Sequence, residues 1–508
     1  MANVLYDSLF ARHAGSPTPF LISGSGDITS HDDFLKLTAR FANALVAQGV
    51  APGARVAAQI PKSVEALGLY AACLQAGAVF LPLNPAYTPG EVGYFVDDAA
   101  PKLILGDDRA YPALRPIAAR AGATLMTLNA DGGGSFARCA AHAPDTFETV
   151  PRGPDDLAAF LYTSGTTGRS KGAMLAHGNL LSNAEVLKDC WRFTADDRLL
   201  HALPIFHTHG LFVATNITLL AGGAMIFLPA FKLDGVIAAL PRATAMMGVP
   251  TFYTRLLEDP RFTSDLVRHM RLFISGSAPL LAETHESFEA RTGHRILERY
   301  GMTETNMITS NPYDGPRRAG TVGFALPGIS VRVADAETGD MLEDGQIGVI
   351  ELKGPNVFQG YWRMPEKTRS EFRDDGYFIT GDLGLIDDQG YLQIVGRAKD
   401  LIISGGFNVY PKEIELLLDE QEGVKESAVI GVPHPDFGEA VVGIVVPENS
   451  QGVDMAQILD AIASDIARFK QPKKLFVQDE LPRNTMGKVQ KSALRERYKE
   501  IFSSIQNT

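Results

Sequence analysis

Short apolar runs alternate with longer amphipathic stretches along most of the 508 residues. From Arg55 the pattern predicts a strand over Val56 to Ile60, a helix of about fifteen residues from Pro61, and a strand over Ala78 to Leu83. Thr88 followed by Pro89 reads as a helix N-cap with proline at the first helical position, and Lys102 to Leu105 as the next strand. The rhythm returns at Ala224 to Leu228, at Ala243 to Val249 with a helix from Pro250, and at Leu272 to Ser275. Strands alternating with helices imply βαβ units and therefore parallel sheets. The expected fold is α/β, a large N-terminal body with doubly wound sheets.

Around Gly396 to Leu401 the character changes, because a charged segment (Arg397, Lys399, Asp400) introduces a shorter run of strand, helix and strand patterns. A helix opens at Pro411, strands lie near Ser427 to Val432 and Val441 to Val446, a helix follows Val453, and the tail is basic. This predicts a small α+β C-terminal domain, with a body over 1–396, a hinge over 397–401 and a mobile lid over 402–508. No fixed-period repeat is visible, and the glycine run 132–134 reads as a surface loop.

Composition narrows the function classes. Apolar residues make up 45% and charged residues 21%, an ordinary globular balance. With 47 Lys and Arg against 59 Asp and Glu the net charge is -12, which disfavours nucleic acid as a partner. Cys73, Cys139 and Cys190 are scattered without metal-ligand or disulfide spacing, so a reduced, cytoplasmic setting is expected. No apolar segment reaches the ~18 residues that cross a bilayer, and the N-terminus lacks the basic start and apolar run of a secretory signal. Small-molecule substrates, and no membrane, are the expected partners.

The densest chemistry lies in Tyr162-Thr-Ser-Gly-Thr-Thr-Gly-Arg-Ser-Lys-Gly172. Glycines let the backbone approach a ligand, successive N–H groups form an anion nest, hydroxyls donate, and Lys171 adds positive charge, a set suited to polyphosphate. It is not a Walker motif, because Ser170 stands where glycine is required before the lysine. The string resembles the phosphate-binding signature of the adenylate-forming superfamily: acyl-CoA synthetases, firefly-type luciferases and peptide-synthetase adenylation domains. Further segments follow in the family's order: Pro204-Ile-Phe-His-Thr-His-Gly210, Ser275-Gly-Ser-Ala-Pro279, Tyr300-Gly-Met-Thr-Glu304, Tyr377-Phe-Ile-Thr-Gly-Asp382, Gly396-Arg-Ala-Lys-Asp400 and Pro482-Arg-Asn-Thr-Met-Gly-Lys488.

That resemblance implies ATP, Mg2+ and coenzyme A as the small molecules used. It assigns Thr163, Ser164, Gly165, Thr166, Thr167, Gly168 and Lys171 to the phosphates, and Ser277, Ala278, Pro279 and the backbone of Glu298 to the adenine pocket. Thr303 is implied to donate to a phosphate, and Glu304 to offer the hard oxygen that magnesium prefers. Asp382 is implied to accept from the ribose hydroxyls, with Arg397 reaching the same sugar. Lys488 is the implied catalytic cation between the acid and the α-phosphate, and Lys399 the hinge about which the lid changes pose. The Ser404, Gly405 and Gly406 turn would admit pantetheine. Without the family context the same residues read as a helix cap, a turn aspartate, a linker charge and a solvated basic loop.

Arg299 departs from the neutral residue common before the Tyr-Gly-Met-Thr-Glu segment. A guanidinium presents paired N–H donors to a carboxylate, so it suits the far end of a dicarboxylic acid, and Arg-Tyr-Gly-Met-Thr-Glu resembles malonyl-CoA synthetases. His207 and Ser277 are the expected companions in that pocket. The function expected is ATP-dependent ligation of malonate, with methylmalonate tolerated, to coenzyme A through an acyl adenylate, releasing AMP and pyrophosphate. A carrier-dependent adenylation enzyme, a ligase for another small acid, and a structural salt bridge at Arg299 are the alternatives. Acetylation of Lys488 by an acetyltransferase, reversed by a deacetylase, would erase its charge.

Overall fold

The computed structural model describes residues 2–163, 170–404, 407–434, 437–449, 453–463, 466, 468–484 and 487–502. Two compact units are present: Met1–Ser330 with Lys353–Phe378, and Val331–Leu352 with Ile379–Thr508. This partition assigns 331–352 and 379–396 to the second unit, whereas the pattern reading placed them in the body. The charge change at Gly396 marks the start of a new motif, but compactness follows a sheet that closes across it.

The first unit holds two sheets of largely parallel strands. In the six-stranded sheet the order is Thr124–Thr127, Leu103–Gly106, Arg55–Gln59, Val79–Pro82, Leu157–Thr163, Lys171–Ala176. All its pairs are parallel except the last, where Thr163 faces Lys171 across an antiparallel pair. In the nine-stranded sheet Leu297–Met302, Leu272–Ser275, Ala245–Gly248, Arg198–His201, Ala224–Phe227 and Pro19–Ile22 run parallel in that order. These strands are buried on both faces, which is why they read as unbroken apolar runs rather than alternating ones. Leu200, Ile226, Met246, Phe273 and Phe288 pack one core, and Ala57, Leu81, Phe95, Ile104 and Phe160 another.

Local signals set the helix starts. Thr88 accepts from the Glu91 N–H while the Glu91 carboxylate takes the Thr88 N–H, a capping box that starts the helix Pro89–Ala99. The helix after Lys62 begins at Val64, capped by Ser63, three residues later than the proline suggested. One element had no signal in the pattern: His209–Thr215 is a π-helical turn, all seven residues buried.

The second unit contains a four-stranded sheet in the order Ser330–Ala334, Gly348–Lys353, Phe378–Ile386, Leu392–Arg397. It also contains a sheet built on the long pair Val424–His434 and Gly438–Pro447, carrying the helices Pro411–Asp419, Met455–Ala463 and Lys491–Tyr498. Among the described residues no helix is long and apolar enough to cross a membrane.

Candidate active site

Parallel strands in register bring their carboxyl ends to one edge, where the following loops form a crevice. In the nine-stranded sheet Met247 pairs with His201, Gly248 with Ser275, and Ser275 with Glu298. The loop Gly276–Pro279, Arg299 and the segment after His201 therefore meet at the same rim. Ser277 sits there at φ +73°, a left-handed conformation that a residue with a Cβ rarely adopts.

Arg299 is 3% exposed, and its Nε and Nη2 have no hydrogen-bond partner among the described residues. Burial lowers its pKa from the ordinary arginine value to about 9, offset in part by Tyr253 and Glu298. The guanidinium lies against Gly276, where an added Cβ would come within 2.4 Å of the arginine Cζ. His209 is equally buried; its Nδ1 lies 3.2 Å from Ser277 Oγ, and its Nε2 has no partner among the described residues. Burial, and then the charge of Arg299, push its pKa well below the usual value, so this imidazole is neutral. Among the described residues three buried nitrogens of Arg299 and His209 have no hydrogen-bond partner, and buried polar groups of this kind ordinarily have one.

The expectation for this corner named His207 and Ser277. Ser277 lies on this rim and meets His209, a histidine the pattern reading did not name; His207 is half-buried in the same segment, its Nδ1 3.4 Å from the His209 N–H. Both histidines lie in one short segment, and the turn that begins at His209 brings that ring to Ser277.

Glu304 and Lys171, the residues the resemblance assigned to magnesium and the phosphates, are already paired. Glu304 is 5% exposed, and Tyr361 donates its phenolic O–H to Glu304 Oε1 at 2.9 Å. The same ring lies under the Lys171 ammonium at 4.1 Å, and Lys171 is also 3.6 Å from Glu371. Tyr361 is held by a bridge to Ala173 and by the Thr368 hydroxyl, which accepts its N–H at 2.9 Å. It thus couples two motif residues, a role the pattern reading did not assign. Thr303 is half-buried next to Glu304. Ser164, Gly165, Thr166, Thr167 and Gly168 lie outside the described residues; the flanking Thr163 and Lys171 are paired as strand ends.

No group of three or more His, Cys, Asp or Glu side chains able to hold a metal occurs among the described residues. A buried carboxylate braced at one oxygen fits magnesium carried chiefly by nucleotide phosphates, which takes one or two protein oxygens. Glu298 is tied by its carboxylate to the Leu280 N–H at 3.2 Å, while its carbonyl accepts the N–H and side-chain amide of Asn311. Ala278 and Pro279 follow Ser277 on the same rim.

In the second unit Arg397 Nε donates to Asp382 Oδ1 at 2.6 Å, and Asp382 is buried. Lys399 stands exposed on the short turn Ala398–Asp400, which Arg495 ties down through Asp400 at 2.8 Å. Ser404 is buried, and Gly405 and Gly406 lie outside the described residues. Lys488 is exposed; its N–H donates to Asn484 Oδ1, and its carbonyl accepts the Asn484 N–H.

The sequence matches the model of the AMP-binding enzyme family over residues 10–362 and that of the AMP-binding enzyme C-terminal domain over 413–488. It is 35% identical to a malonate–CoA ligase of Arabidopsis thaliana, over 88% of this chain and 78% of that one. A feruloyl-CoA synthase of Amycolatopsis is 36% identical, over 95% and 96% of the two chains. Among solved structures, ATP-bound MatB from Rhodopseudomonas palustris superposes with a TM-score of 0.97 at 59% identity, covering 99% of this chain and 100% of that chain. Matched by these two family models over most of its length and at least 35% identical to curated relatives along most of theirs, the chain belongs to the AMP-binding enzyme family.

Proposed function

We propose that the chain ligates malonate to coenzyme A with ATP, through malonyl adenylate, and that methylmalonate is also accepted. The observation that carries this reading is the buried guanidinium of Arg299 near His209 and Ser277, whose Nε and Nη2 have no hydrogen-bond partner among the described residues. A dicarboxylate places its second carboxylate against Arg299 and leaves the first to react. A monocarboxylate such as acetate leaves the buried charge uncompensated, at a cost on the order of 3 to 5 kcal/mol. Similarity to a malonate–CoA ligase and to MatB supports the same choice. One additional methyl changes binding by only ~1 to 3 kcal/mol, so methylmalonate stays within reach.

In the first step a carboxylate oxygen of malonate attacks the α-phosphorus and pyrophosphate leaves. The acid is ionised at neutral pH, so no general base is required and the chain's work is positioning and charge neutralisation. Lys488 neutralises charge at the α-phosphate, Lys171 and Thr303 hold the phosphates, and Asp382 with Arg397 holds the ribose. Magnesium, when bound with the nucleotide, adds positive charge there, and Glu304 is its protein ligand. In the second step the coenzyme A thiolate attacks the acyl carbon and AMP leaves. Rotation about Lys399 exchanges Lys488 for the Ser404–Gly406 turn between the two steps.

We place the reaction in the cytoplasm and make Lys488 a site of acetylation. Charge loss there stops adenylation and leaves the thioester step. The test is pyrophosphate release with malonate, methylmalonate, acetate, propionate, succinate and 4-coumarate, followed by mass spectrometry of the thioester on free coenzyme A. Malonate is expected to lead the panel. A neutral acid preferred over malonate overturns the substrate, and an acyl group passed only to a carrier protein overturns the acceptor.

A further inference from the structure

Lys62 follows the strand Arg55–Gln59 at the carboxyl edge of the six-stranded sheet, yet its side chain reaches the carboxyl edge of the other sheet. Its Nζ lies 2.9 Å from His201 Nδ1 and 2.8 Å from the His201 carbonyl oxygen, and 4.2 Å from the centre of the Phe227 ring. Two lone pairs and one π face take all three N–H bonds of an ammonium, and no carboxylate meets it among the described residues. Lys62 is half-buried, and the loss of solvent around its ammonium pushes its pKa well below the ordinary lysine value. A cation held away from water without a counter-carboxylate among the described residues is costly, and the proposed reaction does not use it.

The contact has a consequence at the far side of the imidazole. A donor at Nδ1 requires the proton of neutral His201 to sit on Nε2, and Nε2 is 2.9 Å from the Gly210 carbonyl oxygen. The Thr215 hydroxyl donates to the same oxygen at 3.0 Å. Gly210 is the second residue of the π turn and cannot shift toward its neighbours. A Cβ there would lie 2.0 Å from the Pro204 carbonyl oxygen, so this backbone already packs at closest approach. The preceding residue is His209, whose ring meets Ser277 beside Gly276 and Arg299. Extra-wide turns of this kind concentrate at functional sites because they re-aim one side chain.

We propose that Lys62 is a positioning residue for the acid pocket: acting through His201, it fixes the Gly210 carbonyl and so holds His209 where the second carboxylate of the substrate is read. The inference rests on the dicarboxylate reading of Arg299 and adds the element that keeps the companion imidazole in register.

The test combines steady-state kinetics with histidine NMR on the full chain. Lys62→Met keeps the length and removes the donors. Its KM for malonate is expected to rise about 10-fold and its malonate-to-propionate selectivity to fall about as much, with kcat and KM for ATP within about twofold. In a double-mutant cycle with His201→Phe, the double variant is expected to be no worse than His201→Phe alone, because one path carries both effects. A merely structural lysine instead lowers Tm and slows every acid alike, leaving selectivity and the ATP constant in their wild-type ratio; that outcome overturns the proposal. In 15N-histidine spectra of the unmutated protein, His201 is expected to carry its proton on Nε2. A proton on Nδ1 overturns the proposal even if the variants fail to fold. If the unmutated protein releases no pyrophosphate with malonate, the substrate reading fails by itself, and the selectivity test is then run with the acid that leads the panel.

Discussion

Two arginines of the first unit, one strand apart in the same sheet, are treated in opposite ways. Arg271 enters the strand Leu272–Ser275 from its amino end, and Asp197 receives its Nε and Nη2 at 2.7 Å each. Burial works against that charge, but the paired hydrogen bonds to Asp197 outweigh it and the pKa rises. Arg299, at the carboxyl rim, has its Nε and Nη2 without hydrogen-bond partners among the described residues, and burial drives its pKa down to about 9. Among the described residues the fold gives one arginine a paired carboxylate and the other none. A buried charge left incomplete at the carboxyl edge of a parallel sheet is the feature on which the proposed dicarboxylate reading rests.

The contrast is broken most directly at Arg299. Arg299→Met is expected to lower kcat/KM for malonate by roughly 100-fold or more, about 2.7 kcal/mol, with the KM for ATP unchanged. The same variant removes an uncompensated buried charge, so its Tm in the absence of substrate is expected to stay level or rise. Arg271→Met has the opposite signature. It strands the buried Asp197 and is expected to cost about 2 to 3 kcal/mol in denaturant unfolding while leaving acid selectivity alone. If both variants lower stability equally, the distinction between a structural and a recognition arginine is lost.

Gly276→Ala sharpens the comparison from the neighbouring side, since its methyl group must displace the guanidinium without removing the charge. A loss of about 10-fold to 30-fold in kcat/KM for malonate is expected, with a smaller loss for propionate. The phosphate side, where the groups are paired in advance, is expected to be more forgiving. Tyr361→Phe keeps the ring under Lys171 and removes only the hydrogen bond to Glu304. About a 5-fold rise in the magnesium concentration needed for half-maximal pyrophosphate release is expected, with weaker Mn2+ binding by electron paramagnetic resonance in the presence of ATP and an unchanged KM for malonate.

The legibility of this protein was uneven for physical reasons. Leu272–Ser275 coincides with its expected strand, and the Thr88 cap and the Pro250 and Pro411 helix starts lie where the pattern put them, because caps and buried runs are local chemistry. Most of the sheet of 330–397 was not legible. Its two edge strands, Ser330–Ala334 and Leu392–Arg397, are only partly buried, so their apolar periodicity is weak. Motif order was enough to name Lys171, Glu304 and Asp382 as candidates, and a departure from the pattern named Arg299. Tyr361 and Lys62 were not, since each acts on residues far away in sequence and neither carries a local signature.

By itself the chain determined the α/β alternation, the helix boundaries set by caps and prolines, and the presence of an arginine directly before the Tyr300-Gly-Met-Thr-Glu304 segment. These follow from side-chain chemistry over a few residues. Only tertiary structure decided that Arg299 Nε and Nη2 meet no hydrogen-bond partner among the described residues, that His209 meets Ser277, and that Lys62 reaches from one sheet to His201 of the other. Such facts depend on which distant groups are brought together and which are left apart. Burial then makes each absence or presence of a partner worth kilocalories, where in water it would be worth little.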